Sequence, residues 1–283
     1  MRTKEEVDEI CRQALKEYLN TPENERSLTK LGGKYNIKRQ TLSDRFKKWG
    51  YEIVNYQNRC RLNSEAFDNL ITEDQFYWLG FMFADGNISK EGNRIEMRLS
   101  YKDINHLEKF RKFLNLSTEI RTGECDGYKF CHLSVRNKHM WKTLNSYGCT
   151  PQKSLTLQFP KIKFTKDTVL HFIRGYVDGD GCLCVYNSNN KIRNSISIVG
   201  TENFLKSVNK IFNNKGSVRS KSSENYKNKA YELVFSDYPS RKLARYLYEN
   251  ATIYLNRKYE KYLEFCRLEE ESSRRLSSKI EED

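Results

Sequence analysis

The nonapeptide IRGYVDGDG, residues 173–181, has the same pattern as the earlier stretch WLGFMFADG, residues 78–86, and this repeat predicts the architecture. In both copies, small residues recur four positions apart, which places them on one face of a helix. A face without large side chains lets another helix backbone approach closely, so the two segments are predicted to be helices that pack against each other. The small residues are Gly80, Ala84, Gly175 and Gly179.

Each nonapeptide ends in Asp-Gly. Gly86 and Gly181 are predicted to take the left-handed conformation that closes a helix, which puts Asp85 and Asp180 on the last turns. Helix C-termini carry partial negative charge, so two added carboxylates form a site for a hard divalent cation. Magnesium is the natural candidate, with Mn²⁺ able to substitute, and no carbonyl ligand is assigned at position 84. One Asp-Gly ending alone would be read as a plain helix cap, whereas two copies favour a catalytic metal site.

The same elements follow each nonapeptide in the same order: an alternating strand, a helix, a strand pair and a helix. In the first copy they lie at 94–100, 104–114, up to 135, and 138–148. In the second copy they lie at 194–200, 202–212, up to 235, and 238–251. The chain is therefore predicted to have an α+β architecture with two like halves, residues 74–160 and residues 161–283.

The predicted strands alternate between apolar and polar residues, which indicates one buried face and one polar face. A twisted antiparallel sheet with basic and hydroxyl side chains fits a major groove, where base edges carry a readable pattern. The alternative is an ordinary sheet that faces solvent. The candidate DNA-binding residues on the strands are Arg94, Arg98, Arg193 and Ser195.

A small helical domain is predicted at residues 1–54, followed by a polar linker at 55–73. Its apolar spacing indicates an amphipathic helix from Lys4 to Asn20 and then two short helices joined by a tight turn, as in a helix-turn-helix. Ten basic residues lie between Arg26 and Arg61, so this region could bind phosphates; the alternative is a three-helix bundle with a solvated basic face. The candidate contacts are Lys38, Arg39, Arg45, Lys47 and Lys48.

The chain of 283 residues carries a formal net charge of +13, which suits a polyanionic partner such as nucleic acid. The alternative is a soluble protein that is merely basic. Eight cysteines occur without a C-x-x-C pair and are expected to be reduced thiols. The N-terminus lacks the apolar core of a signal peptide, and no window is long and apolar enough for a membrane span. An intracellular protein without a membrane partner is expected, in a compartment that the sequence leaves open.

The two nonapeptides resemble the motif of the LAGLIDADG homing endonucleases, specifically the single-chain type with two motifs. The resemblance covers residues 74–267 and implies two pseudo-symmetric αββαββα halves that form a saddle-shaped antiparallel sheet. It also implies that Asp85 and Asp180 ligate Mg²⁺ and that the enzyme hydrolyses one phosphodiester on each DNA strand. A monomer would then make a double-strand break with short 3′ overhangs at a long pseudo-palindromic site.

The resemblance further implies a lysine beyond the last helix of each half, near the attacking water or the phosphate. Lys153 and Lys258 occupy comparable places and could steady developing negative charge or polarise water. In a chain so rich in lysine, both are also consistent with ordinary surface residues. The sixth motif position differs between the copies, with Asp178 in the second and Phe83 in the first, so both cuts are expected but their rates need not be equal.

Two other functions remain open. One is a transcription regulator with a degenerate LAGLIDADG fold and a helix-turn-helix, although such proteins typically lose the acids that this chain keeps. The other is a maturase that assists the splicing of intron RNA. An intein is disfavoured, because the chain starts with Met1 and ends KIEED without terminal splicing residues.

Overall fold

The computed structural model describes residues 2–23, 25–53, 61–221 and 230–281, from residue 271 onward by backbone alone. Contacts divide the chain into two compact units, residues 1–62 with 115–118 and residues 63–114 with 119–283. Residues 55–60 of the predicted linker, which include Cys60, lie outside the described residues. Among the helices described, none has both the length and the apolar character needed to cross a bilayer.

The described residues of the first unit contain three helices: α1 (Lys4–Asn20), α2 (Leu28–Tyr35) and α3 (Arg39–Lys48). Thr3 caps α1 through a reciprocal pair of hydrogen bonds with Glu6, and Asn36 ends α2 in a left-handed conformation with φ of 50°. The three helices lie where the sequence predicts them, and their apolar faces meet. The buried core consists of Cys11, Ala14, Leu15, Tyr18, Leu28, Leu31, Leu42 and Phe46.

The second unit contains two runs of elements with the same order. The first run is α4 (Glu73–Ala84), β1 (Gly86–Ile88), β2 (Arg94–Ser100), α5 (Ile104–Phe113), β3 (Arg121–Cys125), β4 (Tyr128–Arg136) and α6 (Lys138–Tyr147). The second run is α7 (Lys166–Asp180), β5 (Gly181–Ser188), β6 (Lys191–Gly200), α8 (Glu202–Ile211), β7 (Ser217–Ser220), β8 (Tyr231–Ser236) and α9 (Tyr238–Tyr248). A long helix, α10 (Asn256–Glu281), follows.

The two halves also share one sheet topology. Within the part of the chain that the structure describes, each has four antiparallel strands, in the order β1-β2-β4-β3 in the first half and β5-β6-β8-β7 in the second. Each sheet therefore consists of two hairpins joined through their longer strands. The predicted α+β fold with two αββαββα halves is confirmed.

The predicted alternation of the strands is also found. In β2 the side chains of Ile95, Met97 and Leu99 are buried, whereas the residues between them have access to solvent. Ile196 and Ile198 are likewise fully buried in β6. Since successive side chains of a strand point to opposite faces, each sheet has one apolar face in the core and one polar face.

Residues 63–73 were predicted as part of a linker, but the structure places them in the second unit. Ala66 and Phe67 are buried, and the ring of Phe67 packs edge-on against Phe113 at 5.4 Å. The side-chain amide of Gln75 also donates to the backbone carbonyl of Ala66 at 3.1 Å. Apolar burial and hydrogen bonds together hold this segment against the first half.

Candidate active site at the paired motif helices

The motif helices α4 and α7 pack backbone against backbone at their glycines. A Cβ atom on Gly80 would overlap the carbonyl oxygen of Phe172, and one on Gly175 would overlap the carbonyl oxygen of Tyr77. The two contacts are equivalent, because each glycine faces a backbone carbonyl of the other helix. Further along, a Cβ atom on Gly179 would lie 2.4 Å from the Cβ of Ala84. The four small residues predicted for a helix interface therefore all lie in it.

The ends of the two helices differ from the prediction in one respect. Gly86 does not have a positive φ, and Gly181 is extended with φ of −99° and ψ of 167°. The left-handed caps predicted for both glycines are therefore wrong, since each helix runs directly into a strand, β1 or β5. Glycine is needed for another reason: a Cβ on Gly181 would lie 2.5 Å from the carbonyl oxygen of Val177.

The motif aspartates nevertheless lie at the helix ends, as predicted. Asp85 directly follows the last residue of α4, and Asp180 is the last residue of α7. The carboxylate of Asp85 reaches the opposite helix, because a Cβ on Gly179 would lie 3.2 Å from its Oδ2 atom. As Gly179 immediately precedes Asp180, the two acids occupy adjoining positions at one end of the helix pair.

The electrostatics reflect this proximity. Desolvation by the surrounding protein, followed by repulsion from Asp180, raises the pKa of Asp85 to about 6, although the side chain keeps access to solvent. Desolvation also raises the pKa of Asp180, while the positive charges of Lys153 and Lys258 oppose that rise. Two crowded carboxylates of this kind are expected to bind a positive charge.

Two buried lysines lie beside the acids. Lys153, on a short 3₁₀ turn, donates its ammonium to the carbonyl oxygen of Gly86, and Lys258, on the first turn of α10, donates to that of Gly181. Their side chains are 8% and 5% exposed, so neither is an ordinary surface lysine. Burial lowers the pKa of Lys258. The sequence thus located both lysines correctly, and their catalytic role stays a prediction.

Asp178 has a structural setting that sequence reasoning missed. It is completely buried, and its carboxylate accepts hydrogen bonds from the Tyr77 hydroxyl at 2.7 Å and the Tyr248 hydroxyl at 2.6 Å. It also accepts one from the backbone N–H of Leu255 at 2.7 Å, which is three residues before Lys258. Burial raises the pKa of Asp178, and these donors oppose the rise. One sign of this setting is visible in the sequence: the sixth motif position is Asp178 in the second copy and Phe83 in the first.

Oxygen ligands for a divalent cation are present at the helix ends. The donor set consists of the carboxylates of Asp85 and Asp180, and hard cations such as Mg²⁺ prefer oxygen. A cation there would also relieve the repulsion that raises the pKa of Asp85. No cluster of three or more His, Cys, Asp or Glu side chains is found among the described residues, so the remaining ligands would be carbonyls, water or substrate. The site fits a cation held by two carboxylates.

The strand residues proposed for DNA binding lie on the polar faces, but not all are free. Arg98 is exposed and stacks over the ring of Phe130 at 3.5 Å, and Arg94 lies 3.4 Å from the carboxylate of Glu96. Ser195 pairs in register with Ser236.

Arg193 bonds to Asp237 at 2.5 Å, so part of its guanidinium is already occupied. On the polar face of the first sheet, the sequence reasoning missed Arg121, His132 and Arg136. The register aligns Arg121 with His132, and His132 with Arg98. The sequence does not show which strands pair, so this alignment could not be predicted from it.

Four of the five basic candidates in the first unit are exposed: Lys38, Arg39, Lys47 and Lys48. Arg45 is the exception, because its side chain is 22% exposed and its Nε lies 2.5 Å from the carboxylate of Asp8. Arg45 therefore joins α3 to α1 through an ion pair. It lies one turn after the core residue Leu42, on the side of α3 that faces the bundle.

Comparison with known proteins found no matching sequence family and no similar curated protein. Similar solved structures do exist. Across 77% of this chain and 97% of its own, the homing endonuclease I-LtrWI bound to target DNA has 16% identity and a TM-score of 0.47. I-GzeII in complex with its DNA target covers 74% and 92%, with 17% identity and a TM-score of 0.43. I-AabMI bound to uncleaved DNA covers 72% and 92%, with 13% identity and a TM-score of 0.49.

I-LtrWI and I-GzeII are LAGLIDADG homing endonucleases, and I-AabMI is a LAGLIDADG meganuclease. Identities of 13–17% with TM-scores of 0.43–0.49 assign no activity to this chain.

Proposed function

We propose that this protein is a site-specific DNA endonuclease of the LAGLIDADG homing type, which cuts both strands of a duplex by metal-dependent hydrolysis. The observation that carries the proposal is the arrangement at one end of the helix pair. There Asp85 and Asp180 adjoin each other, and each is followed by a glycine whose carbonyl binds a buried lysine. These groups have no evident role in packing alone, since the ammonium groups of the two lysines are costly to bury and adjoining carboxylates repel each other.

The acids and lysines would divide the work at the reacting phosphates. Asp85 and Asp180 would hold Mg²⁺ or Mn²⁺, which when bound supplies Lewis acidity and lowers the pKa of bound water. Lys153 and Lys258 would direct positive charge toward the phosphates and stabilise the negative charge that develops there. Because both amines are largely removed from bulk water, their charge acts more strongly than at an exposed position.

The polar sheet faces would hold the duplex. Arg98, Arg121 and Arg136 lie on that face of the first sheet, and Arg193 and Ser195 lie on that face of the second. A two-stranded or larger antiparallel ribbon fits the width of a major groove, where such side chains reach base edges and phosphates. The shared topology of the halves favours a pseudo-palindromic target.

The repeat within one chain also favours a monomer as the active form. Both motif helices, both acids and both lysines belong to a single chain, so one molecule has a set of groups for each DNA strand. The first unit would add phosphate contacts through Lys38, Arg39, Lys47 and Lys48, which are exposed on and beside α3. These contacts would extend the site and raise affinity in a salt-dependent way.

The test is a cleavage selection with the whole protein, Mg²⁺ and a randomised duplex library, followed by sequencing of the new ends. The proposal predicts recurrent breaks at one long motif with short 3′ overhangs, absent when EDTA replaces Mg²⁺. Enrichment of bound but uncut duplexes would instead identify a binding-only regulator. In a separate filter-binding assay, retention of intron RNA by a protein that makes no recurrent DNA break would identify a maturase.

A further inference from the structure

Two cysteines stand side by side at the start of β5, immediately after the second motif. Cys182 and Cys184 are separated by one residue, so their side chains project from the same face of the strand. Both are exposed, and their sulfur atoms lie 3.2 Å apart without a disulfide bond. Leu183 between them points the other way and is buried. The strand itself therefore holds two thiols in contact.

The position of this thiol pair is defined by the sheet register. Cys182 lies opposite Ser197, and Cys184 lies opposite Ser195, so the thiols share the polar face of the second sheet. The contact with Cys182, together with desolvation, raises the pKa of the Cys184 thiol, and the positive charges of Lys258 and Lys261 oppose that rise. The first half has no equivalent, because the residues that follow Gly86 are Asn87, Ile88 and Ser89. The thiol pair is thus a feature of one half alone.

The spacing of the pair favours a bridging atom over a disulfide. Residues two apart in a strand have Cα atoms about 6.6 Å apart, close to the upper limit of about 6.8 Å for disulfides. A disulfide here would therefore be strained and easily reduced. A soft centre that binds both sulfurs avoids the strain, because the bridge is longer than a direct S–S bond, and thiolates select such centres.

We propose that Cys182 and Cys184 form a two-sulfur site for a thiophilic ion or metalloid, and that its occupancy blocks DNA binding. The second clause rests on the proposed function, which assigns this face of the second sheet to DNA. With a trivalent organoarsenical such as phenylarsine oxide, two S–H bonds break and two As–S bonds form. The arsenic-bound oxygen leaves with both protons as water, and arsenic keeps its oxidation state.

The first experiment measures the adduct on the whole reduced protein, without DNA or Mg²⁺. One equivalent of phenylarsine oxide should add one phenylarsenic group, mapped by mass spectrometry to the peptide with Cys182 and Cys184. A dithiol such as dimercaptopropanol should remove it, whereas the same concentration of thiol groups from a monothiol should not. Cys182→Ser and Cys184→Ser should each lose this resistance to monothiol. Cys125→Ser, which removes an exposed cysteine on β3, should keep it.

An adduct that maps elsewhere, or one that monothiol removes as readily from the wild type as from Cys182→Ser, would overturn the two-sulfur site. The second experiment measures DNA affinity of the arsenical-treated protein by fluorescence anisotropy in Ca²⁺. Affinity should fall at least about tenfold in the wild type and remain unchanged in the Cys182→Ser/Cys184→Ser double variant. A confirmed adduct with unchanged affinity would keep the thiol site, overturn its blocking effect and contradict the DNA face assigned under the proposed function.

Discussion

Lys153 and Lys258 occupy equivalent positions in the two halves, each bound to the carbonyl of the glycine that follows a motif aspartate. They reach these positions from different elements, a 3₁₀ turn in the first half and the first turn of α10 in the second. Unlike elements thus place an ammonium group in the same contact in both halves. The two halves therefore share this lysine–carbonyl contact, although the backbone element that carries the lysine differs between them.

Replacing one lysine should slow one of the two cuts. In Lys258→Met the positive charge beside Asp180 is lost, so cleavage of one strand should fall about 10²-fold while the other strand is cut at nearly the normal rate. Strand-specific end labels in a single-turnover assay measure both rates. Lys112→Met, which changes an exposed lysine on α5, is the control and should leave both rates unchanged. Equal loss on the two strands would contradict a separate role for each lysine.

The helix interface should not tolerate a methyl group at Gly80. Gly80→Ala places a Cβ onto the carbonyl oxygen of Phe172, and two packed backbones cannot separate without opening the core. The free energy of unfolding should fall by at least about 2 kcal/mol in urea denaturation. Gly33→Ala is the control, since nothing lies within 4 Å of its Cβ position in α2, and alanine is a better helix former there. Similar stability for Gly80→Ala and wild type would refute the close packing.

The pKa of Asp85 predicts how stability depends on pH without metal. Folding raises this pKa from its ordinary value to about 6, so the folded state favours the protonated acid. The resulting destabilisation is absent below about pH 4, grows as the pH rises toward 6 and is complete above it.

Asp85→Asn should therefore raise Tm in EDTA at about pH 8 and leave it nearly unchanged at about pH 4. Thermal unfolding followed by circular dichroism measures both. Asp126→Asn, in an exposed turn between β3 and β4, is the matched control and should not show this pattern. A Tm difference of the same size at both pH values would show that desolvation and repulsion do not act on Asp85.

Salt dependence separates basic residues that contact phosphates from those that stabilise the first unit. Lys48→Ala should weaken DNA binding and reduce the slope of log K against log salt by about one. Arg45→Ala should leave the slope unchanged and lower the Tm of the first unit, because Arg45 is bound to Asp8. Titrations by fluorescence anisotropy at several salt concentrations measure the slopes. A smaller slope for Arg45→Ala than for Lys48→Ala would reverse the assignment.

Local patterns in the sequence predict most of the architecture. The spacing of Gly80 with Ala84 and the alternation around Met97 each depend on neighbours along the chain, so the elements and their buried faces could be predicted. The duplicated motif then identifies the helix pair and the positions of Asp85 and Asp180. All of these features repeat, and repetition is visible without a structure.

Contacts between distant segments could not be predicted in the same way. The bond between Arg45 and Asp8 and the three donors that converge on Asp178 join residues that no local spacing relates. The backbone of Gly86 was also wrongly predicted, since a glycine after a helix usually takes the left-handed cap. Here the following strand and the crowded last turn determine its conformation instead.

The most direct test of the central claim compares Asp85→Asn and Asp180→Asn with the wild type on a supercoiled plasmid that carries the selected target, in Mg²⁺. The account predicts that both variants bind the target within about threefold of the wild-type affinity but make no double-strand breaks, or only nick the plasmid. Double-strand cleavage at the wild-type rate by both variants would contradict the claim that the paired aspartates form the catalytic metal site.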